Sequence, residues 1–247
     1  MRFHVKGDLH VHTKYSIEPG VFRGLLGATP FYGPRSVFEA AIERDMQVVT
    51  ITDHDTMKGA DLAEKIYKKN KRYRDSFIFT KGEEISTDKG HLLGIGMQEE
   101  IPKGTPVEEA IDSIKDQGGV SIAAHPFSVY GLGFELNRLK LDAIEVINPL
   151  AILSFMFIGN LRAKRMLKKL DVGAVAGSDA HVLSTYSRVF TRFSLKTATE
   201  DEVLKQIRTK KTVPDINFGP LSRFKELVKG FGLMVIPKKV KKCSNGY

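Results

Sequence analysis

The chain has 247 residues, with 38 Lys and Arg against 29 Asp and Glu, a formal net charge of +9. Hydrophobic residues make up 42% and charged residues 27%, a globular balance that excludes overall disorder. A lone cysteine, Cys243, excludes an intrachain disulfide framework, and no run approaches the about 20 apolar residues of a membrane span. Residues 1–20 carry Arg2, Lys6 and Asp8 where a secretory signal would be apolar, so a reducing, cytoplasmic setting is expected. The basic residues are spread over several runs, such as Lys68-Lys69-Asn70-Lys71-Arg72 and Arg162-Ala163-Lys164-Arg165, with four lysines among the last ten residues. Solvated helix faces are the plain reading, and a field attracting anionic substrates or nucleic acid the sharper one.

Short β-rich runs alternate with helical stretches. Phe3–His12 reads as a strand, and Arg35–Asp45 as a helix with Pro34 in its first turn. Gln47–Thr52 is an apolar strand and Lys58–Arg72 a helix. Phe77–Thr80 and His91–Ile95 read as strands around a turn at Asp88-Lys89-Gly90. Val107–Gln117 is a helix ended by Gly118-Gly119. Strands Val120–Ala124 and Leu141–Ile147, helix Phe157–Leu170, strands Ala174–Ala176 and Val189–Ser194, and helix Glu200–Arg208 follow. This alternation predicts a parallel sheet, and about seven such units suit a closed α/β barrel. The apolar run Leu150–Ile158 is expected to begin a buried helix or to form a flap at the mouth of the site.

Six of the seven histidines fall in short polar clusters at the expected strand ends. These are Asp8-Leu9-His10-Val11-His12, Thr52-Asp53-His54-Asp55, Gly90-His91, Ala124-His125-Pro126 and Gly177-Ser178-Asp179-Ala180-His181, with the pair Glu83-Glu84 beside them. Residues i and i+2 of a strand point to one side, so His10 and His12 would share a space, as would Asp179 and His181. In an α/β barrel the carboxyl ends of the strands gather on one face, where active sites lie. Imidazole and carboxylate donors suit Zn, Mn and Fe, and ten or so of them exceed the needs of one four-coordinate ion. Two or three divalent metals are therefore expected. Gly94-Ile95-Gly96 lacks the third glycine of a dinucleotide loop and reads as strand packing.

The ordered set Asp-Leu-His-Val-His-Thr, Ile-Thr-Asp-His-Asp-Thr, Gly-Glu-Glu-Ile-Ser-Thr, Gly-His-Leu-Leu-Gly, Ala-His-Pro-Phe and Gly-Ser-Asp-Ala-His resembles the polymerase and histidinol phosphatase (PHP) family of metal-dependent phosphoesterases, over residues 3 to about 195. The resemblance implies a single distorted (β/α)7 TIM-like barrel, taken here to extend over residues 1–235; the basic stretch 236–247 matches nothing in that family and is expected to be a disordered tail. It implies that His10, His12, Glu84 and Asp179 hold one ion, that Glu84 bridges to a second held by His91 and His125, and that His54 and His181 hold a third. Glu84 is chosen over Glu83 because the family's glutamate stands directly before Ile-Ser-Thr. Where relatives often carry Ser-Asp-Gly after His-x-His, this chain has Ser16-Ile17-Glu18-Pro19-Gly20, so Glu18 is the substitute ligand, offset by one position. Asp8, Asp53 and Asp55 are expected to orient imidazole N–H groups from behind. The expected nucleophile is a hydroxide bridging the ions, held by Glu84 and Asp179, with Arg188 as a phosphate clamp.

The leading expectation is a hydrolase of a small phosphomonoester, such as a nucleotide or a histidinol-phosphate-like compound. The alternative is a nuclease acting on DNA or RNA ends with the same metals. A C–N amidohydrolase shares His-x-His and a late Asp but usually bridges its metals with a lysine, where this chain has Glu84. A non-catalytic protein on the same scaffold would lack principal ligands, and none is missing.

Overall fold

A computed structural model describes residues 2–17, 30–149 and 157–216. Glu18, most of the run 150–158 and the tail 236–247 lie outside the described residues. The described part contains nine strands in one sheet, in the order β7-β6-β5-β4-β3-β2-β1-β8-β9. They are β1 (Phe3–Asp8), β2 (Val48–Ile51), β3 (Ile78–Ser86), β4 (His91–Ile95), β5 (Val120–Ala123), β6 (Ala143–Ile147), β7 (Gly173–Ala176), β8 (Val189–Leu195) and β9 (Val213–Ile216). The helices are α1 (Pro34–Glu43), α2 (Lys58–Lys69), α3 (Lys71–Ser76), α4 (Val107–Asp116), α5 (Phe157–Leu167) and α6 (Glu200–Arg208).

The sheet is mixed where a parallel one was expected. β4 and β8 run against their neighbours, and the other strands share one direction. The reversal of β4 follows from the short link after β3, which allows an antiparallel return but no crossover. The two margins of the sheet meet through side chains. The Ala176 N–H donates to Thr191 Oγ1, and that hydroxyl donates back to the Ala176 carbonyl, both at 2.9 Å. Thr212 Oγ1 donates to the Ala174 carbonyl at 2.7 Å. The result is a nearly closed, distorted α/β barrel.

Alternation along the strands sorts the core. On β4, Leu92 packs with α4 residues such as Ile111 and Ile114. Leu93 and Ile95 join Val48, Ile122, Val175 and Phe193 in a separate cluster, to which α6 adds Val203, Leu204 and Ile207. Glu84 lies opposite Leu93 in the ladder and so shares its face, while Glu83 lies opposite Gly94 on the other. Gly94 is required by packing, since a Cβ there would stand 1.9 Å from Met97 Sδ. α6 is capped by Thr199, carries Glu200, Asp201 and Glu202 in its first turn and Lys205 and Arg208 in its last, matching the helix dipole at both ends.

Candidate metal centre

The polar clusters converge on one end of the barrel. β1 ends at Asp8, four residues earlier than its pattern suggests, because the Asp8 carboxylate takes the backbone N–H groups of His10 (3.4 Å), Ser178 (2.9 Å) and Ser187 (3.0 Å). The chain beyond it still runs beside the β7 loop through the bridge Val11–Ala180, and His54 bridges Glu84 in the same way. His91 reaches this end because it opens the reversed strand β4. Asp55 (φ 52°), His125 (φ 26°) and Asp179 (φ 48°) all adopt left-handed backbone that non-glycine residues seldom take. Such strain gathers at functional sites, where the surroundings over-determine it.

Glu84 is the hub. Its Oε2 lies 2.9 Å from His10 Nε2, 3.1 Å from His12 Nε2 and 3.2 Å from His54 Nδ1. Its Oε1 lies 2.9 Å from His91 Nδ1 and 2.8 Å from His125 Nε2. Asp179 Oδ1 is 3.1 Å from His12 Nε2 and 3.5 Å from His10 Nε2. The His181 ring packs against that of His12, with centroids 4.3 Å apart. Glu84, His10 and His12 have no solvent exposure. Burial opposes charge on Glu84, yet His54, His10 and His91 hold its carboxyl well below the usual carboxylate range. Asp179 is lowered likewise by His10 and His12 against its own burial. His12 resists the downward pull of burial and is pushed up to about 10 by its bonds to Asp179 and Glu84. Protons on imidazole here compensate two buried carboxylates, as any cation at this point would.

Three groups of side chains bring their donor atoms within 4.8 Å of one another: His10, His12, Glu84 and Asp179; His54, Glu84 and His91; and His12, His54 and His181. These all-nitrogen-and-oxygen sets fit divalent transition metals, and Glu84 is common to two of them.

The carboxylates expected behind the imidazoles do other work. Asp8 holds three backbone N–H groups, as above. Asp53 accepts from the Thr13 N–H and from Thr13 Oγ1. Asp55 accepts from the Ser86 N–H (2.7 Å) and hydroxyl (2.9 Å) and pairs with Lys103 (2.7 Å). The imidazole partners are residues to which the motifs assign no role: Glu145 against His10 Nδ1 at 3.2 Å, Ser16 against His12 Nδ1 at 3.3 Å and Ser128 against His125 Nδ1 at 2.8 Å. Glu145 had one visible signal, an acid inside the apolar strand Ala143–Ile147. Arg188 lies in the loop after His181, where its Nε donates to the Ser184 carbonyl at 2.8 Å.

A PHP-associated sequence family matches residues 157–212. The uncharacterized protein MJ1587 of Methanocaldococcus jannaschii is 36% identical over 168 residues, covering 67% of this chain and 94% of that protein. The chain belongs to the PHP family. The PHP fold is also found in a two-domain Bacteroides vulgatus protein containing a predicted PHP-like metal-dependent phosphoesterase, with a TM-score of 0.66, 15% identity, and coverage of 99% of this chain and 73% of that one. Endonuclease Q, in complex with a 27-mer duplex carrying an abasic lesion at its active site, shares the fold with a TM-score of 0.60 and 19% identity over 84% of this chain and 57% of its own. Among the described residues of this PHP protein, no helix is long and apolar enough to cross a membrane.

Proposed function

We propose that this PHP protein hydrolyses phosphoesters with two or three divalent transition metal ions, and that its substrate is a small phosphomonoester such as a nucleotide. The observation that carries the reading is one buried carboxylate, Glu84, with five imidazoles at 2.8–3.2 Å divided between its two oxygens. In this reading His10, His12, Glu84 and Asp179 hold one ion. Glu84 is shared with a second through His91 and His125, which both meet its Oε1. His54 and His181 hold a third, with Glu18 the candidate for completing it. Bound divalent ions acidify water to a pKa of about 7 and neutralise charge on phosphoryl oxygens. Glu84 and Asp179 stay ionised to receive cations. Arg188 is the candidate for the phosphate itself, since guanidinium meets phosphate through paired N–H groups.

The basic residues are dispersed along the chain and some are already matched with acids, which favours a small substrate over a polymer. Lys68 pairs with Glu64 (2.9 Å), Arg72 with Glu39 (3.0 Å) and Lys103 with Asp55 (2.7 Å). The second reading is a nuclease, and the fold shared with Endonuclease Q favours it. Hydrolysis should vanish on chelation and return with Mn²⁺ or Zn²⁺. kcat/KM should be higher for mononucleotides and sugar phosphates than for labelled oligonucleotides. Full activity in metal-free protein overturns the reading, and a strong oligonucleotide preference that collapses with salt supports the nuclease.

A further inference from the structure

Glu145 lies on β6, 1% exposed, and all its hydrogen bonding is directed at the centre. Its Oε1 stands 3.2 Å from His10 Nδ1. Its Oε2 accepts from the His125 backbone N–H at 2.8 Å and from Asn148 Nδ2 at 2.8 Å. The same Asn148 nitrogen reaches Asp179 Oδ2 at 3.3 Å. Asn148 is held in turn by Asn160 of α5, which accepts from its N–H at 3.3 Å and donates to its carbonyl at 3.1 Å. The fit leaves no slack: a Cβ on Gly177 would stand 2.4 Å from His10 Cβ and 2.6 Å from Glu145 Oε1.

From this arrangement we infer that Glu145 is the positioning residue of the centre, fixing the tautomer of His10 and the backbone of His125, and through Asn148 the direction of Asp179. The inference rests on the metal-centre reading above. A carboxylate oxygen facing His10 Nδ1 requires the proton on Nδ1. With Nδ1 committed to Glu145, Nε2, which stands 2.9 and 3.5 Å from Glu84 and Asp179, is the nitrogen that would give up its proton to hold an ion shared with them. The second oxygen holds the N–H of His125, whose φ of 26° needs such an anchor. One side chain on β6 thus sets groups that follow β1, β5 and β7, none of them close to it in sequence. Both oxygens are used as acceptors. Glutamine has the same shape but only one acceptor, so Glu145→Gln must turn an N–H donor toward His10 or toward His125 and Asn148.

The test is the affinity of the full-length protein for Zn²⁺, measured by competition with a colorimetric chelator, for wild type and Glu145→Gln. The variant should bind roughly 10–100-fold more weakly, the usual effect of losing a partner behind a metal-binding histidine. Thermal unfolding of the metal-free forms is the control, because a merely structural residue would lower that midpoint and leave the affinity of folded protein unchanged. Long-range ¹H–¹⁵N spectra of Zn²⁺-loaded wild type should show His10 as the Nδ1–H form, a result that does not depend on the variant folding. Unchanged affinity in Glu145→Gln, or His10 carrying its proton on Nε2, overturns the inference while leaving the metal centre standing. Wild-type protein that takes up no divalent ion overturns both.

Discussion

Two adjacent glutamates have opposite fates, and Glu83 offers the cleaner measurement. Glu83 is fully buried on the face of β3 away from the histidines. Its Oε2 accepts from the Ile101 N–H at 2.9 Å, and its Oε1 has no hydrogen-bond partner. Burial, with Glu100 and Asp55 nearby and only the Ile101 bond opposing, pushes its carboxyl up to about 8. Between the unfolded value near 4.5 and that folded value, the native state keeps a proton that the unfolded chain has released. Stability therefore falls as pH rises through this window, by about 1.4 kcal/mol per pH unit. From pH 5 to pH 8 the loss from this one group is about 3.5 kcal/mol, since the slope flattens near each of the two values. Glu83→Gln mimics the protonated acid and cannot ionise, so its stability lacks that slope. Urea unfolding of the metal-free proteins across pH 5–8 should show the variant gaining on wild type as pH rises. The titrating histidines are common to both proteins and cancel in the difference. Parallel curves would mean that Glu83 is ionised in the fold and would refute the reasoning.

The metal centre and its packing give two further expectations. Glu84→Ala should lower metal content by two equivalents and cut hydrolysis by more than the roughly 10–100-fold typical of an outer partner, whereas Glu18→Ala should lose at most one equivalent and keep more activity; metal analysis of both proteins beside wild type checks this. Gly177→Ala forces a methyl against His10 and Glu145, so it should destabilise the fold by about 1–3 kcal/mol and weaken metal binding, and a variant with wild-type melting and metal content would show that the strand end yields freely.

The barrel was legible because its helices and most strands announce themselves by period and by their stops. α6 matches its expected span from Thr199's cap onward, and α4 ends one residue short of it, before Gly118 at φ 77°. What hid was polarity inside strands. β3 runs on to Ser86, past the point where Lys81, Glu83 and Glu84 break the apolar pattern, because those side chains are buried against partners the sequence does not display. β9 was missed since Val213-Pro214-Asp215-Ile216 looks like a turn, yet proline is tolerated where a strand lies at the margin of a sheet. The reversal of β4 goes with the turn at Asp88-Lys89-Gly90, since alternation of strands and helices signals parallel pairing only where the connection is long enough to cross over.

The centre divides along the same line. Its imidazoles stand in short polar clusters at strand ends, and the repetition of that pattern along the chain makes them visible from spacing. The groups behind them carry no such mark. Ser16 and Ser128 look like loop serines, and Asp8, Asp53 and Asp55, which stand next to histidines in sequence, spend their oxygens on backbone, hydroxyl or lysine partners instead. Proximity along the chain is a poor guide to what orients an imidazole, since the ring points across the barrel and its far nitrogen meets whichever strand lies there. For His10 that strand is β6, 135 residues away in sequence. A lone acid in an otherwise apolar strand, as Glu145 is between Ile144 and Val146, is therefore the feature to seek: its burial costs several kcal/mol unless a proton donor or a cation compensates it. The site supplies that compensation, so the acid in β6 and the histidine in the loop after β1 explain each other.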